Sequence, residues 1–169
     1  MDTIKAIKTR RSIRKFSEDR IPQEMIHKIV ECGMYAPSAG NEQPWHFIII
    51  TNPEILRSLP SIHKHARMFS EATAGILVCF QEDLEMHKEM AIQDCAAATQ
   101  NMLLAIHTYG YGACWCGVYP REERMNGLSE LFNLPKGVIP FSLIAIGLPN
   151  EEKELVNRYL SDRIHLNEW

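Results

Sequence analysis

Four cations and one hydroxyl are concentrated in residues 10–15, whose sequence is Arg-Arg-Ser-Ile-Arg-Lys. Guanidinium groups donate paired hydrogen bonds, and together with a serine hydroxyl and loop amides they suit a phosphate monoester, whose oxygens need several charge-assisted donors. The candidate phosphate ligands are Arg10, Arg11, Ser12 and Arg14. On composition alone, a solvated basic face and a nucleic-acid or nuclear-import patch remain alternatives.

A second candidate segment is residues 37–45, with the sequence Pro-Ser-Ala-Gly-Asn-Glu-Gln-Pro-Trp. Two prolines, a glycine and small polar residues between periodic segments predict a loop over residues 36–44. Small side chains let the backbone approach a flat ligand, and Asn and Gln amides can both donate to and accept from the edge of a heterocycle. The candidate contacts are Pro37, Ser38, Ala39, Asn41 and Gln43. A tight connection without a binding role is the alternative.

The segment Gly110–Gly117 carries glycines and cysteines that invite a cofactor or metal interpretation. A dinucleotide fingerprint GxGxxG fails because Trp115 stands at its third glycine and a helix, not a strand, precedes it. We expect the thiols of Cys114 and Cys116 to face opposite sides of a strand, and no second Cys/His pair has zinc-site spacing. No metal ligand is therefore predicted. The sequence also lacks GxSxG, HExxH and P-loop motifs.

Length and composition predict a single domain over residues 1–169. With a net charge of −3 and 46% apolar residues, a chain of this size buries about 70% of its unfolded surface and needs no disulfide or structural metal. We expect no secretory leader, because six Lys/Arg precede residue 16 with no apolar run behind them. The longest mostly apolar stretch, residues 138–148, is shorter than the ~20 residues of a spanning helix. Five cysteines cannot all pair, which favours the cytoplasm.

Hydrophobic periodicity predicts the elements that position these segments. We expect helices over residues 2–9, 22–36, 53–59 and 86–108 and a further helix opened by Pro120. Nearly continuous apolar runs predict strands over residues 45–51, 74–80, 113–119 and 138–148. The basic segment around His63, Lys64, His65 and Arg67 stays unassigned, and the tail from Asn150 is charged and amphipathic. Without strict βαβ alternation, the pattern favours an α+β sandwich.

Taken in order, these segments resemble the FMN-dependent nitroreductase family. The resemblance rests on Arg10-Arg-Ser-Ile-Arg14, on Ala36-Pro-Ser-Ala39 followed by Asn41, Gln43, Pro44 and Trp45, on Trp115-x-Gly117 after a long helix, and on a basic tail with Arg163-Ile-His165. It spans nearly the whole chain. Each motif alone is weak, but RRSxR followed by APSxxNxQPW is specific.

The resemblance implies an α+β homodimer with a mixed, mostly antiparallel central sheet flanked by helices and FMN bound at the subunit interface. By analogy, Arg10, Ser12 and Arg14 hold the phosphate and ribityl side, and Arg158 in the tail completes the phosphate site, with Lys153 as second choice. The loop residues Pro37, Ser38, Ala39, Asn41 and Gln43 reach in from the partner subunit. Residues Cys114, Trp115, Cys116 and Gly117 lie along the isoalloxazine, with backbone N–H groups near its nitrogens.

The resemblance also implies a reaction. NAD(P)H donates hydride to the flavin, and a nitroaromatic, quinone or similar small acceptor then takes the electrons in the same site by a ping-pong mechanism. No side chain is required as an acid or base, so no catalytic residue is predicted. Flavin fragmentation, reductive dehalogenation and a non-catalytic flavin-binding sensor are the alternatives. Neither a nucleic acid nor a membrane is an expected partner.

Overall fold

The computed structural model describes residues 1–84, 86, 87 and 89–169. Its centre is an antiparallel sheet of β1 (Trp45–Ile50), β2 (Ala74–Gln81), β3 (Gly112–Gly117) and β4 (Val138–Gly147), in the order β1-β2-β4-β3. Apolar β-branched and aromatic residues fill β1, β2 and β4, as expected for strands covered on both faces. β3 is an edge strand, so its outer side is available to other segments of the chain.

The described residues form five α-helices: α1 (Thr3–Thr9), α2 (Gln23–Met34), α3 (Pro53–Ile62), α4 (Met90–Thr108) and α5 (Glu122–Leu131). The carboxylate of Asp2 accepts the N–H groups of Ile4 and Lys5 and caps α1, and Asn52 caps α3 in the same way. Within the described ranges, no helix combines the length and the hydropathy needed to cross a bilayer.

The helices cover the sheet in two layers. α2 and α4 pack on one face, and α3, α5 and the short turn Arg67–Ser70 pack on the other. α2 and α4 approach so closely that a Cβ on Gly33 would lie 2.9 Å from Cγ of Met102. α4 is therefore packed closely between α2 and the sheet. Its beginning lies near residues 39–41, and its last turn lies near α1.

The α+β class and the order of elements agree with the sequence prediction, but two helices begin two or more residues later than predicted. α4 begins at Met90 rather than at residue 86, because Glu89 has a left-handed backbone conformation with φ 68° that a helix cannot contain. α5 begins at Glu122 rather than at Pro120. The N–H groups of Val118 and Tyr119 still bond the carbonyl of Phe141 at 3.1 and 3.0 Å, so the chain stays tied to β4 up to that point.

The tail from Glu151 contains one short 3-10 turn, Ser161–Arg163, and no α-helix or named strand among its residues. Its apolar side chains are uncovered: Leu155, Tyr159 and Leu166 are 71%, 70% and 85% exposed, and Trp169 is fully exposed. Soluble monomers rarely expose so many large apolar side chains on one contiguous segment. The tail carries both charged and apolar side chains, and its own chain does not bury the apolar ones.

Candidate functional site

The basic segment, residues 10–17, runs along the outer edge of β3. Ser12 forms a parallel bridge with Ala113, and the N–H of Ile13 donates to the carbonyl of Ala113 at 2.9 Å. A Cβ on Gly112 would lie 2.8 Å from Cβ of Ile13, so a glycine permits this approach. The structure thus brings the first and third sequence motifs together, although about a hundred residues separate them in the chain.

At the start of the basic segment, the side chains of Arg10 and Arg11 line a cavity of about 310 Å³ together with His107 and Lys153. Burial, followed by the charges of Arg158 and Arg11, lowers the pKa of Arg10. Nε of Arg10 and Nη2 of Arg11 are buried and have no hydrogen-bond partner in the described part of the chain. Crowded cations with unused donors favour an anion that offers several oxygens.

The tail is docked onto the same segment. Glu151 accepts the N–H of Arg14 at 2.6 Å and the ammonium of Lys153 at 2.6 Å, and Nε of Arg11 donates to the carbonyl of Glu154 at 3.2 Å. These contacts bring the tail to the arginine cluster, where the charge of Arg158 acts on Arg10. Lys153, the second choice for the phosphate site, is paired with Glu151 in this arrangement.

A second cavity, of about 820 Å³, lies at the other end of the basic segment, between residues 63–68 and the end of β3. Its lining includes Arg14, Lys64, Arg67 and Arg124, and no carboxylate occurs among its described lining residues. Apart from residues 116–118, no atom of the described residues lies within 4 Å of the position that a Cβ on Gly117 would take, so the backbone of β3 is open there. The cavity suits a polar group that carries or acquires negative charge.

The sequence analysis placed Arg14 with the phosphate ligands, whereas the structure places it in this second cavity with Cys114, Trp115, Cys116 and Gly117. It did not assign Lys64, Arg67 or Arg124 to a site. The density of basic residues at 63–67 was the available signal for the first two. Arg124 lies on α5 without any motif around it, and only tertiary structure brings it to the cavity.

His63 fixes the end of β3 at this cavity. It is 2% exposed, and its Nδ1 accepts the N–H of His65 at 3.2 Å, so Nε2 carries the proton and donates to the carbonyl of Gly117 at 2.9 Å. Arg124 donates to the same carbonyl at 2.7 Å. Burial, opposed by the hydrogen bond to Gly117 and assisted by the charge of Arg124, lowers the pKa of His63.

The lowered pKa of His63 predicts a pH dependence of stability. Below the ordinary value of 6.5 the unfolded chain takes up a proton before the folded chain does, so stability is retained above pH 6.5 and falls as the pH drops toward the folded pKa. His63→Gln keeps a donor for Gly117 without titrating. The free energy of unfolding, measured with urea at pH 7.5 and pH 5.5, should fall less between these two pH values in this variant than in the wild type.

The matched control is His27→Gln, which replaces an exposed imidazole on α2 and so measures the effect of a His-to-Gln substitution outside the cavity. Burial, with the charges of Arg10 and Arg11, also lowers the pKa of His107. His107 is present in the wild type and in both variants, so it lowers the stability at acid pH of all three proteins alike. If the free energy of unfolding falls equally at acid pH in His63→Gln and in the wild type, His63 does not contribute to the pH dependence.

The prediction that Cys114 and Cys116 face opposite sides of the sheet is wrong. Residues two apart on a strand share a face, and both thiols pack in the layer of α3 and α5, whereas Trp115 faces the layer of α4. A hydrogen bond from Cys116, opposed by burial and assisted by the charge of Arg14, lowers the pKa of Cys114 to about 7. The same hydrogen bond, together with burial, raises the pKa of Cys116.

The loop around residues 37–43 lies at the other end of α4. The N–H of Ala39 donates to Asp94 at 3.1 Å, and the loop is closed by hydrogen bonds from Gln43 to Ser38 at 3.1 Å and to Asn41 at 3.3 Å. Asp94 and His107 are thirteen residues apart on α4, which corresponds to about 20 Å. Within one chain, the structure therefore does not bring the loop to the arginine cluster.

Comparison with known proteins gives a family match along most of the chain. Residues 7–77 and, in a second overlapping stretch, residues 63–148 match the description of the nitroreductase family. A relative from Methanothermobacter thermautotrophicus, provisionally named NADH dehydrogenase/NAD(P)H nitroreductase, is 46% identical over 169 residues, which are all of this chain and 88% of the relative.

Two solved structures share the fold over nearly their full lengths. A protein from Clostridium acetobutylicum, provisionally named NADH oxidase, superimposes with a TM-score of 0.94 at 38% identity, covering 97% of this chain and 99% of the other. A provisionally named nitroreductase from Desulfovibrio desulfuricans, solved in complex with FMN, superimposes with a TM-score of 0.87 at 27% identity, covering 100% of this chain and 98% of the other.

Proposed function

The chain belongs to the nitroreductase family, and from that premise we propose that it is an FMN-dependent oxidoreductase that passes electrons from NAD(P)H to a small acceptor such as a nitroaromatic or a quinone. The observation that carries this proposal is the pair of cationic cavities along one segment. Arg10 lines the first and Arg14 the second, and four residues of chain span at most about 14 Å. One phosphorylated ligand with a flat ring can occupy both cavities.

The residues present fit FMN. The unused buried donors of Arg10 and Arg11, together with Ser12 and Arg158, would hold its phosphate. The second cavity, lined by residues from Cys114 to Gly117, would hold its ring. A pyrophosphate-binding glycine fingerprint is absent from the sequence, which favours FMN over FAD.

The bound FMN would supply the redox chemistry, taking hydride from NAD(P)H and delivering electrons to the acceptor. The protein contributes placement and charge. Arg14, Lys64 and Arg67 would stabilise negative charge that develops in the second cavity. The Gly117 backbone, held by His63 and Arg124, would present its N–H in a fixed direction. Donor and acceptor would use the same open cavity in turn, which predicts ping-pong kinetics.

A homodimer would complete the site. The loop residues Pro37, Ser38, Ala39, Asn41 and Gln43 are about 20 Å from their own arginine cluster along α4, and in a dimer they could contact the flavin held mainly by the other chain. The exposed apolar tail supports the same arrangement, because an obligate interface typically buries more than ~2,000 Å². All five cysteines are free thiols, which supports a reducing compartment such as the cytoplasm.

The purified protein is expected to be yellow, to release FMN on denaturation and to bleach within seconds when NADH or NADPH is added without oxygen. Mass spectrometry of the released cofactor and stopped-flow absorbance measure the two properties. Release of FAD, or failure of FMN to reconstitute the apoprotein, would contradict the cofactor assignment. A yellow protein that neither nucleotide bleaches would instead be a flavin-binding protein without this turnover. Initial rates across nitroaromatic and quinone acceptors then test the acceptor class and the ping-pong scheme.

A further inference from the structure

The second cavity holds more positive charge than a flavin ring needs. Arg14, Lys64, Arg67 and Arg124 line it, and no carboxylate occurs among its described lining residues. None of these side chains forms an ion pair with a described residue, although the net charge of the chain is −3. We propose that Lys64, Arg67 and Arg124 select the electron acceptor, and that the preferred acceptor is a nitroaromatic that carries a carboxylate. This inference rests on the proposed function and names its substrate class.

Lys64 and Arg67 project from an anchored segment of chain. The N–H of Ala66 donates to the carbonyl of His63 at 2.7 Å, and the N–H of Phe69 donates to the carbonyl of Ala66 at 3.0 Å. Ala66 and Phe69 are both fully buried. The backbone that carries the two cations is therefore fixed against the core, while their side chains line the cavity.

Arg124 is held at the same cavity from α5. Its Nη1 donates to the carbonyl of Gly117 at 2.7 Å, and His63 donates to that carbonyl at 2.9 Å. A guanidinium has five N–H donors in a planar fork, so this bond orients the group and leaves other donors for a ligand. A carboxylate can accept two parallel N–H bonds from such a fork. Arg124 is thus suited to bind a carboxylate beside the open backbone of Gly117.

The charge distribution favours an anionic acceptor over a neutral one of the same shape. If Arg14 compensates the charge that develops on the flavin, three cations of the cavity remain available to the acceptor. Charges of one sign along a cavity raise the local concentration of an oppositely charged substrate and its rate of association. A neutral nitroaromatic gains nothing from these cations.

The carboxylate binds but takes no part in the redox step. NAD(P)H gives up a hydride and is oxidised to NAD(P)⁺, and solvent supplies one proton. One N–O bond of the nitro group breaks, its oxygen leaves as water, and the nitro group is reduced to a nitroso group. The nitroso product keeps the carboxylate.

The test compares 4-nitrobenzoate with the uncharged 4-nitrobenzamide. We expect isothermal titration calorimetry of the full-length protein, without nucleotide, to show about fivefold or more tighter binding of the anion at low salt. This is the contribution of one well-formed exposed ion pair. The preference should decrease as the ionic strength rises.

The double variant Lys64→Gln, Arg67→Gln should lose most of this preference, whereas Lys64→Arg, Arg67→Lys should keep it because both charges remain. Arg57→Gln is the matched control. It removes one exposed arginine from α3 but none from the cavity lining, and it should keep the wild-type preference. In stopped-flow experiments, the ratio of reoxidation rates of the NADH-reduced protein by the two compounds should fall in the same double variant.

Equal affinities for the two compounds in the wild type would overturn the proposal. So would a preference in the double variant that equals the one in Arg57→Gln. Slower reduction by NADPH than by NADH in the double variant, with the acceptor preference intact, would assign these cations to the phosphate of the donor instead. Absence of FMN or of nucleotide oxidation would contradict the proposed function alone, because calorimetry measures the preference without either.

Discussion

Replacing Arg10 by alanine is expected to weaken FMN binding by about 30-fold or more, equivalent to about 2 kcal/mol, while the chain stays folded. Charge-assisted hydrogen bonds contribute ~1.5–3 kcal/mol each, and Nε of Arg10 is a buried donor without a partner in the described structure. Arg11 and Arg158 both repel Arg10. Removing this charge should therefore lower the melting temperature of the FMN-free protein little or not at all.

The measurement is a fluorescence titration of FMN-free protein with FMN, paired with a thermal melt of each variant. Lys15→Ala is the matched control, because it removes an exposed cation from the same segment but from neither cavity. It should retain wild-type affinity. Equal losses in both variants would indicate only general attraction of an anion, and unchanged affinity in Arg10→Ala would place the phosphate elsewhere.

The sequence analysis grouped basic residues that are contiguous in the chain. Arg10, Arg11 and Ser12 lie next to each other in the chain, so no tertiary information is needed to bring their donors together. The pairing of Ser12 with Ala113 depends on the packing of the whole sheet. Before the structure, only the order of motifs in the family resemblance predicted that the basic segment and β3 belong to the same site.

The sequence analysis did not assign the basic residues that come together at the second cavity only through tertiary packing. Lys64 and Arg67 stand in a segment without helical or strand periodicity, and Arg124 reaches the second cavity from α5. The error over Cys114 and Cys116 has a different origin: the alternation of a strand was applied to residues two apart, which share a face.

Ending the chain after Asn150 is expected to abolish dimerisation and to weaken FMN binding by more than about 100-fold, or ~3 kcal/mol. The cut removes Arg158, the Glu151 carboxylate that holds the N–H of Arg14 at 2.6 Å, and the Glu154 carbonyl that holds Arg11 at 3.2 Å. It also removes the exposed apolar tail proposed to cover the partner. All four strands of the sheet end before residue 151, so loss of the core is not the expected cause.

Arg158→Ala in the full-length chain separates the two effects of that truncation. The variant keeps the apolar tail and loses one cation, so it should remain dimeric by sedimentation while its FMN affinity falls. The truncated protein should be monomeric and colourless in the same experiments. Far-UV circular dichroism of both proteins establishes that they are folded. A truncated protein that stays yellow and dimeric would contradict the role of the tail. A full-length holoprotein that sediments as a monomer would mean that one chain holds FMN without the loop of a second, since that loop lies about 20 Å from its own arginine cluster.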